Sequence, residues 1–351
     1  MTLNTRREYD TVPLPALHAR FLRACHRLPV DATPVWFMRQ AGRYMPEYRK
    51  LRERHGILDL CWTAELAAEV TLQPIRRFPA IDAAIIFSDI LMITQPMGAQ
   101  IEFVRSEGPA IRNPVATEAD VARLRPLEPE KDLKPVLDAI RLVKRELKVP
   151  LIGFCGAPFT LASYLIEGGP SDDFLKTKAL MRQPAWPRLM ARLAEAVTAH
   201  LRAQASAGAD VVQLFDSWVG ALDSEEYQKH VQPWSKLILD AMNVPVIHFG
   251  TRTAPFLESF KEAGGTAIGV DWRIPLDEAW GRLGDIPVQG NLDPSALLKT
   301  RADLLHRVDD VLSRAAGRKG HIFNLGHGIL PETPMENVEA VIEHVHARTR
   351  A

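Results

Sequence analysis

Two arginines close an apolar run in the stretch PVWFMRQAGRYMPEYR, residues 34–49. The run itself is Val35–Met38, and the residues that follow it are Arg39, Gln40, Ala41, Gly42 and Arg43. A guanidinium is planar, always charged and forked, so it binds a carboxylate or a phosphate through two parallel hydrogen bonds. Gly42 permits a close approach of backbone to ligand, or a positive φ. The stretch predicts an oxyanion-recognition loop; the alternative is surface arginines paired with carboxylates such as Glu47.

Polar residues also end other apolar runs. Asp89 stands in FSDIL, Ser217 follows Asp216 in LFDSW, and His327 lies between two glycines in NLGHGILP. Each has a plain structural interpretation as well: Asp89 as a helix cap, Asp216 as a structural carboxylate, His327 as a satisfied loop histidine. Tyr164, in a predicted helix after GAPFTLAS, is equally explained as a packed tyrosine. The other residues at such ends are Ser88, Gly156, His248, Gly250, Asp271, Asn291, Asp293, Gly326 and Gly328.

The elements that position these residues are short apolar runs, nearly continuous in hydrophobicity, which is typical of parallel strands covered on both faces. They are Val35–Met38, Ala83–Phe87, Leu151–Phe154, Val211–Phe215, Val246–Phe249, Thr266–Val270, Pro287–Gln289 and Ile322–Leu325. Amphipathic patterns between them predict helices, the clearest being Pro187–Ala207, Glu225–Met242 and Met335–His346.

Strand–helix alternation with eight strand candidates predicts a single (β/α)8 TIM barrel, whose function gathers at the C-terminal ends of its strands. A doubly wound open sheet is the alternative, although no GxGxxG follows any strand. The connection from Thr94 to Pro150 is an insertion between strands two and three. It begins with a predicted hairpin turning at Glu107–Gly108. No composition break divides the chain, so residues 1–351 are expected to form one domain.

Composition narrows the class of partner. The chain of 351 residues has 43 Lys+Arg and 43 Asp+Glu, so bulk charge favours neither a nucleic-acid nor a membrane partner. The widely spaced Cys25, Cys61 and Cys155 form no disulfide framework or CxxC metal signature, and are expected to be buried thiols in a reducing compartment. The polar N-terminus has no apolar signal segment, and no apolar run approaches membrane-spanning length. We expect a cytoplasmic protein with a small-molecule ligand.

Absent motifs exclude several chemistries. No predicted strand ends in lysine, which argues against a Schiff-base aldolase. No HExxH motif or tight cluster of His, Asp and Glu predicts a metal, and no GxSxG predicts a nucleophile elbow.

Five segments together resemble the uroporphyrinogen decarboxylase family, in the order the family has them and over nearly the whole chain. They are RQAGRYMPEYR, FSDIL, GAPFTLASYLIEG, LFDSW and NLGHGILPETPMENV. The resemblance implies a single (β/α)8 barrel that removes carbon dioxide from the four acetate side chains of uroporphyrinogen, giving coproporphyrinogen, without metal or organic cofactor and usually as a homodimer.

The resemblance also implies site residues. The substrate-binding residues are Arg39, Gln40, Ala41, Gly42, Arg43, Asp89, Tyr164, Ser217 and His327. Asp89, Tyr164 and His327 are the catalytic candidates, and Arg52 matches a family arginine near the cleft. Asp89 is the carboxylate expected to face the pyrrole N–H groups, while the donor of the ring proton stays open between an arginine and a buried acid.

Two other functions compete with this one. Corrinoid methyltransferases share the fold, but they bind zinc through His-x-Cys and a later Cys. Here His248 is followed by Phe249 and Gly250, and Cys155 is the last cysteine. A non-catalytic binder of tetrapyrroles or organic anions would use the arginines equally well. Asp89 would repel an anionic ligand unless it meets pyrrole N–H groups, and its presence therefore favours a catalytic site.

Overall fold

The computed structural model describes residues 19–104 and 108–351. In these ranges the strands are β1 (Ala84–Ile85), β2 (Ile101–Val104), β3 (Gly108–Ile111), β4 (Leu151–Gly156), β5 (Val211–Asp216), β6 (Val246–Gly250), β7 (Ala267–Gly269), β8 (Val288–Gln289) and β9 (His321–Ile322). Seven of them form one parallel sheet in the order β1-β4-β5-β6-β7-β8-β9. Neighbours in this sheet follow one another in the chain, except that the separate β2–β3 pair lies between β1 and β4. Because all seven strands are parallel, their C-terminal ends meet at one edge.

The α/β class and the parallel sheet are therefore confirmed, but the first predicted strand, Val35–Met38, is wrong. Val35 forms only an isolated parallel bridge with Phe323. Its N–H donates to the Asp82 carboxylate, at 2.7 Å, and so cannot donate to the main chain of a neighbouring strand. The Asp82 N–H in turn donates to the Val35 carbonyl, at 2.9 Å. Residues 34–36 thus hydrogen-bond toward both ends of the sheet, because the Phe323 N–H donates to the Pro34 carbonyl.

Helices lie between and around these strands. They are α1 (Arg20–Cys25), α2 (Pro46–Arg52), α3 (Ile57–Trp62), α4 (Ala64–Arg77), α5 (Glu118–Arg123), α6 (Pro129–Asp132), α7 (Lys134–Glu146), α8 (Pro158–Glu167), α9 (Leu175–Met181), α10 (Ala185–Ala207), α11 (Ser224–His230), α12 (Gln232–Asp240), α13 (Leu257–Glu262), α14 (Leu276–Leu283), α15 (Arg301–Ala315) and α16 (Met335–Thr349).

Two of the three predicted helices are confirmed within α10 and α16. The predicted apolar face of α10, which includes Leu189 and Val197, is fully buried. The third prediction, one helix over Glu225–Met242, is wrong, because the chain breaks at Val231 (φ −126°, ψ −52°) between α11 and α12. Pro233 accounts for the break: it has no N–H to continue the helix and is tolerated in the first turn of α12.

The hairpin predicted after Thr94 is present as antiparallel β2 and β3, with Val104 opposite Gly108. Its predicted turn residue Glu107 lies outside the described residues. The core is formed by apolar side chains that extend from Phe21 to Val345, and Cys25, Cys61 and Cys155 are free thiols buried in it. Among the described helices none is long and apolar enough to cross a bilayer.

Candidate active site

A cavity of about 440 Å³ lies at the C-terminal ends of the first strands of the sheet. Its lining combines the predicted arginine loop with residues from β1, β4, β5 and β6 and from the loop after β9. The lining residues are Met38, Arg39, Ala41, Gly42, Arg43, Tyr48, Ile57, Ile85, Ile86, Phe87, Ser88, Asp89, Ile90, Gly108, Pro109, Phe154, Phe215, Ser217, Phe249, His327, Gly328, Ile329 and Pro331.

The arginine loop is fixed at its base and free at its tip. The Met38 N–H donates to the Asn324 side-chain oxygen, at 3.2 Å, and the Met38 carbonyl accepts from the Ile329 N–H, at 2.9 Å. Arg39 then turns the chain with a φ of +60°, a conformation that L-residues rarely adopt. Because both guanidiniums are exposed and line the cavity, Arg39 and Arg43 are available to an anionic ligand.

Two glycines fit this loop by leaving room for backbone and side chain. Positive φ, which the sequence allowed for Gly42, belongs to Arg39 instead. A Cβ on Gly42 would lie 3.1 Å from the Arg39 carbonyl oxygen. A Cβ on Gly328 would lie 2.4 Å from Cδ of Arg39, far inside van der Waals contact. The Arg39 side chain therefore runs directly over Gly328, beside His327.

Gln40 does not line the cavity. Its side chain is buried, with Nε2 donating to the Ala83 carbonyl at 3.1 Å and Oε1 accepting from the Phe37 N–H at 3.2 Å. The Tyr44 hydroxyl donates to the Gln40 carbonyl at 2.7 Å. These bonds hold the loop to the residues just before β1.

Asp89 lies at the cavity wall, four residues beyond β1, and shares the cavity with both arginines. No helix follows it: its Oδ1 accepts from the Leu91 N–H, at 2.8 Å, within a run of turns. Burial raises the pKa of the Asp89 carboxyl, and this N–H and the positive charge of Arg39 oppose that shift. The carboxylate is thus costly to keep charged without a further donor.

Tyr164 is carried by α8 and stacks on Trp218, with ring centroids 3.7 Å apart. It is not a lining residue of the cavity. Burial and then the negative charge of Asp89 raise the pKa of its phenol, while Arg39 acts in the opposite direction. Ser217 does line the cavity, and its carbonyl accepts from the Thr251 hydroxyl, at 2.6 Å.

His327 faces the cavity beside Arg39. Burial, with the positive charges of Arg39 and Arg273, lowers the pKa of its imidazole to about 4. The ring is therefore neutral at neutral pH, and it carries one N–H donor and one acceptor.

The floor of the cavity is aromatic, which the sequence analysis missed. Phe154, Phe215 and Phe249 come from β4, β5 and β6 and meet edge to face, with centroids 5.6 and 5.7 Å apart. Strand alternation could have predicted it, since residues i and i+2 of a strand share a face. Phe215 and Ser217 obey it, and both line the cavity.

Several other strand-end residues lie elsewhere. His248 is fully buried and stacks on Phe260 of α13, with centroids 3.7 Å apart, so it faces the helix layer. Asp271 pairs with Arg273, and the Asn291 amide donates to the Asp271 and Ile274 carbonyls. Asp293 accepts from the Ser295 N–H. The exposed Arg52 donates to the His55 carbonyl, at 2.7 Å, and is not a lining residue.

The arrangement has a definite chemical character: a cationic rim, an aromatic floor whose rings meet edge to face, and one carboxylate on the wall. Such a cavity suits a large, mainly apolar ring system with acidic arms. In the described part of the chain no group of three His, Cys, Asp or Glu residues is placed to hold a metal ion.

Comparison with known proteins shows which family this chain matches. Residues 17–348 match the family model described as uroporphyrinogen decarboxylase. The chain is 58% identical over 343 residues to the uroporphyrinogen decarboxylase of Sorangium cellulosum, covering 95% of this chain and 98% of the relative. It is 53% identical to that of Roseiflexus sp., covering 94% and 98%. Against that of Thermus thermophilus, identity is 52%, covering 92% and 96%.

Solved structures of similar fold are more distant in sequence. A methyltransferase from Methanosarcina mazei superposes with a TM-score of 0.77 at 18% identity, covering 95% of this chain and 99% of that one. A B12-independent methionine synthase from Shewanella sp. superposes with a TM-score of 0.57 at 9% identity, covering 84% and 88%. At these identities the likeness concerns the fold alone.

Proposed function

We propose that the cavity at the strand ends is where this chain carries out the reaction of its family. The chain belongs to the uroporphyrinogen decarboxylase family and is a carboxy-lyase. It converts the four acetate side chains of uroporphyrinogen III to methyls, giving coproporphyrinogen III in tetrapyrrole (haem) biosynthesis. The observation that carries the proposal is that Asp89, Arg39 and Arg43 line one cavity with an aromatic floor.

Recognition begins at the rim. The substrate has eight carboxylates, and the guanidiniums of Arg39 and Arg43 are the exposed cations of the lining. Each guanidinium offers a forked pair of donors to one carboxylate. The macrocycle, whose four pyrroles are joined by saturated methylene bridges and so are not coplanar, lies against Phe154, Phe215 and Phe249. Ala41 and Gly42 leave room for it beside the loop.

Asp89 faces the four pyrrole N–H groups. Each reaction begins with protonation of a pyrrole ring, which becomes the electron sink for the bond to carbon dioxide. When carbon dioxide leaves, the electron pair neutralises the ring and forms an exocyclic methylene. Protonation of that methylene carbon completes the methyl group and makes the ring cationic again, and loss of the first proton from the ring then restores the pyrrole. A fixed carboxylate stabilises the cationic intermediate, an effect typically worth about 3–4 kcal/mol.

The remaining site residues hold the substrate. His327, neutral at neutral pH, donates a hydrogen bond to an acetate arm rather than a proton. The Ser217 hydroxyl binds a second polar group, Tyr164 orients its phenol toward the Asp89 side, and Gln40 keeps the arginine loop in place from behind. Each side chain thus fixes position or charge, and no step requires a bound cofactor.

The decisive experiment is anaerobic incubation of the protein with uroporphyrinogen, with product separated by chromatography. We expect loss of carboxylates in steps down to coproporphyrinogen. Stoichiometric binding without loss of carboxylates would refute the catalytic assignment and favour an organic-anion binder.

The architecture and setting complete the proposal. Residues 34–36, bonded toward both ends of the sheet, occupy the eighth position of a closed (β/α)8 barrel, with the residues between β1 and β4 as an insertion. The whole chain is one domain, supported by the core that extends from Phe21 to Val345. It works as a cytoplasmic homodimer with no nucleic-acid or membrane partner, in keeping with balanced charge and free buried thiols.

A further inference from the structure

Asp216 is a buried carboxylate that the reaction above does not use. It ends β5 between Phe215 and Ser217, both of which line the cavity. By strand alternation its own side chain faces away from the cavity. It is fully buried, and one of its oxygens, Oδ2, has no partner in the described part of the chain. An uncompensated carboxylate of this kind is costly, so its retention calls for a reason.

The partner of Asp216 is the first turn of α8. The Thr160 hydroxyl donates to Asp216 Oδ1, at 2.9 Å. Ala157, which precedes α8, has no side chain able to cap it. Burial raises the pKa of Asp216 to about 7, and hydrogen bonds from the hydroxyl and main-chain N–H of Thr160 oppose that shift. Asp216 thus caps α8 from the neighbouring strand.

The same hydroxyl orders the turn that follows β5. Because the Thr160 hydroxyl gives its hydrogen to Asp216, its lone pairs face the Trp218 N–H, which donates to it at 3.3 Å. The Trp218 ring in turn stacks on Tyr164, one helical turn along α8 from Thr160, and Phe174 meets the same ring edge to face. The turn and α8 are therefore joined at two successive levels.

We propose that Asp216 is a positioning residue that, through the Thr160 hydroxyl, holds the Ser217–Trp218 turn against α8 and so fixes Ser217 and the Trp218–Tyr164 stack beside the cavity. The proposal rests on the function given above, because Tyr164 and Ser217 matter here only as substrate-binding groups. Hydrogen-bond geometry does the positioning, so an isosteric amide that still accepts from Thr160 should replace the carboxylate.

Kinetics in a double-mutant cycle test this. We expect Thr160→Val to raise KM about tenfold, the effect of one well-formed hydrogen bond, with kcat little changed, because Ser217 and Tyr164 bind substrate. Thr160→Ser and Asp216→Asn should stay within about threefold of the wild type because they keep the bond. In a Tyr164→Phe background, Thr160→Val should raise KM less than threefold. Fully multiplicative effects would overturn the proposal, since they indicate independent roles.

A matched control separates positioning from stability. Thr177 is likewise fully buried and donates to a carboxylate, Glu167 Oε1, at 2.8 Å, but this bond joins α9 to the end of α8 and does not involve the Ser217–Trp218 turn. Thr177→Val should reduce the melting temperature comparably and leave KM unchanged. An equal rise of KM in Thr177→Val would show that destabilisation alone explains the Thr160 result.

A readout without turnover distinguishes this proposal from the proposed function. The Trp218–Tyr164 stack contributes to the near-ultraviolet circular dichroism, so Thr160→Val and Tyr164→Phe should change the same band. If wild-type protein fails to decarboxylate uroporphyrinogen but the band changes as expected, the function is refuted and the positioning stands. An unchanged band in folded Thr160→Val refutes the positioning.

Discussion

Replacing Asp89 by Asn removes one charge and leaves the shape. The Asn side-chain oxygen can still accept from the Leu91 N–H, the bond that Asp89 makes at 2.8 Å. No packing is lost, because the two side chains have nearly the same volume. The variant therefore asks a single question: whether the negative charge, and not the turn it supports, is needed for turnover.

The structure sets different magnitudes for activity and for stability. Loss of a preorganised charge facing the cationic intermediate should cost about 3–4 kcal/mol, a drop in kcat of about 10²–10³. For folding, the weaker neutral bond to Leu91 costs about 1 kcal/mol. This is offset because burial disfavours the Asp89 charge and raises its pKa. The free energy of unfolding should therefore change by less than about 1 kcal/mol.

The assay is anaerobic turnover of uroporphyrinogen together with denaturant unfolding of the same preparations. Asp293→Asn is the matched control, because Asp293 accepts from an N–H two residues later, at 2.8 Å, and is not a lining residue of this cavity. It should lose the same small stability and keep its activity. Turnover within threefold of the wild type in folded Asp89→Asn would refute the electrostatic role of Asp89.

Four other outcomes follow from the site. Arg39→Lys should lower kcat/KM tenfold or more in steady-state assays, because an ammonium lacks the fork; an unchanged value contradicts bidentate binding. Gly328→Ala should raise KM by displacing the Arg39 side chain, whereas Gly281→Ala, with open space around it, should not; equal KM values refute the contact. His327→Asn should keep some activity, and complete inactivation would indicate proton transfer. Burial gives native Asp216 a pKa of about 7, above the value of 3.8 in the unfolded chain. Between these pH values native Asp216 holds more protons than unfolded Asp216, so the free energy of unfolding falls as pH rises. Denaturant unfolding of Asp216→Asn should lose this part of the pH dependence, up to roughly 4 kcal/mol, and an unaltered pH dependence contradicts the prediction.

Local hydrophobicity was sufficient to predict most strands. A strand covered on both faces of a parallel sheet must be apolar whatever the rest of the sequence is. Local hydrophobicity was insufficient for Val35–Met38, which is just as apolar. There side chains take main-chain N–H groups that a strand would use: Asp82 takes that of Val35, and Asn324 takes that of Met38. Both side chains lie far along the chain, so a window around Val35 does not contain them.

Side-chain direction explains the other differences. His248 stands one residue before Phe249, so alternation sends it to the helix layer, where it stacks on Phe260. Gln40 lies between residues of the arginine loop that line the cavity, yet its amide satisfies backbone groups inside the protein. Arg39 and Asp89 were predicted at the cavity because each follows an apolar run and stands in a motif of the family that the chain resembles, and both line it. The same reasoning did not show which way the Gln40 amide points.

The order of synthesis matters for this enzyme. The loop with Arg39 emerges early from the ribosome, but its anchors, Asn324 and Ile329, are made near the end. Contacts so distant in sequence form late in folding. A nascent chain interrupted before residue 324 therefore lacks the two groups that hold the Met38 end of this loop, and we expect it to bind uroporphyrinogen more weakly than the full chain.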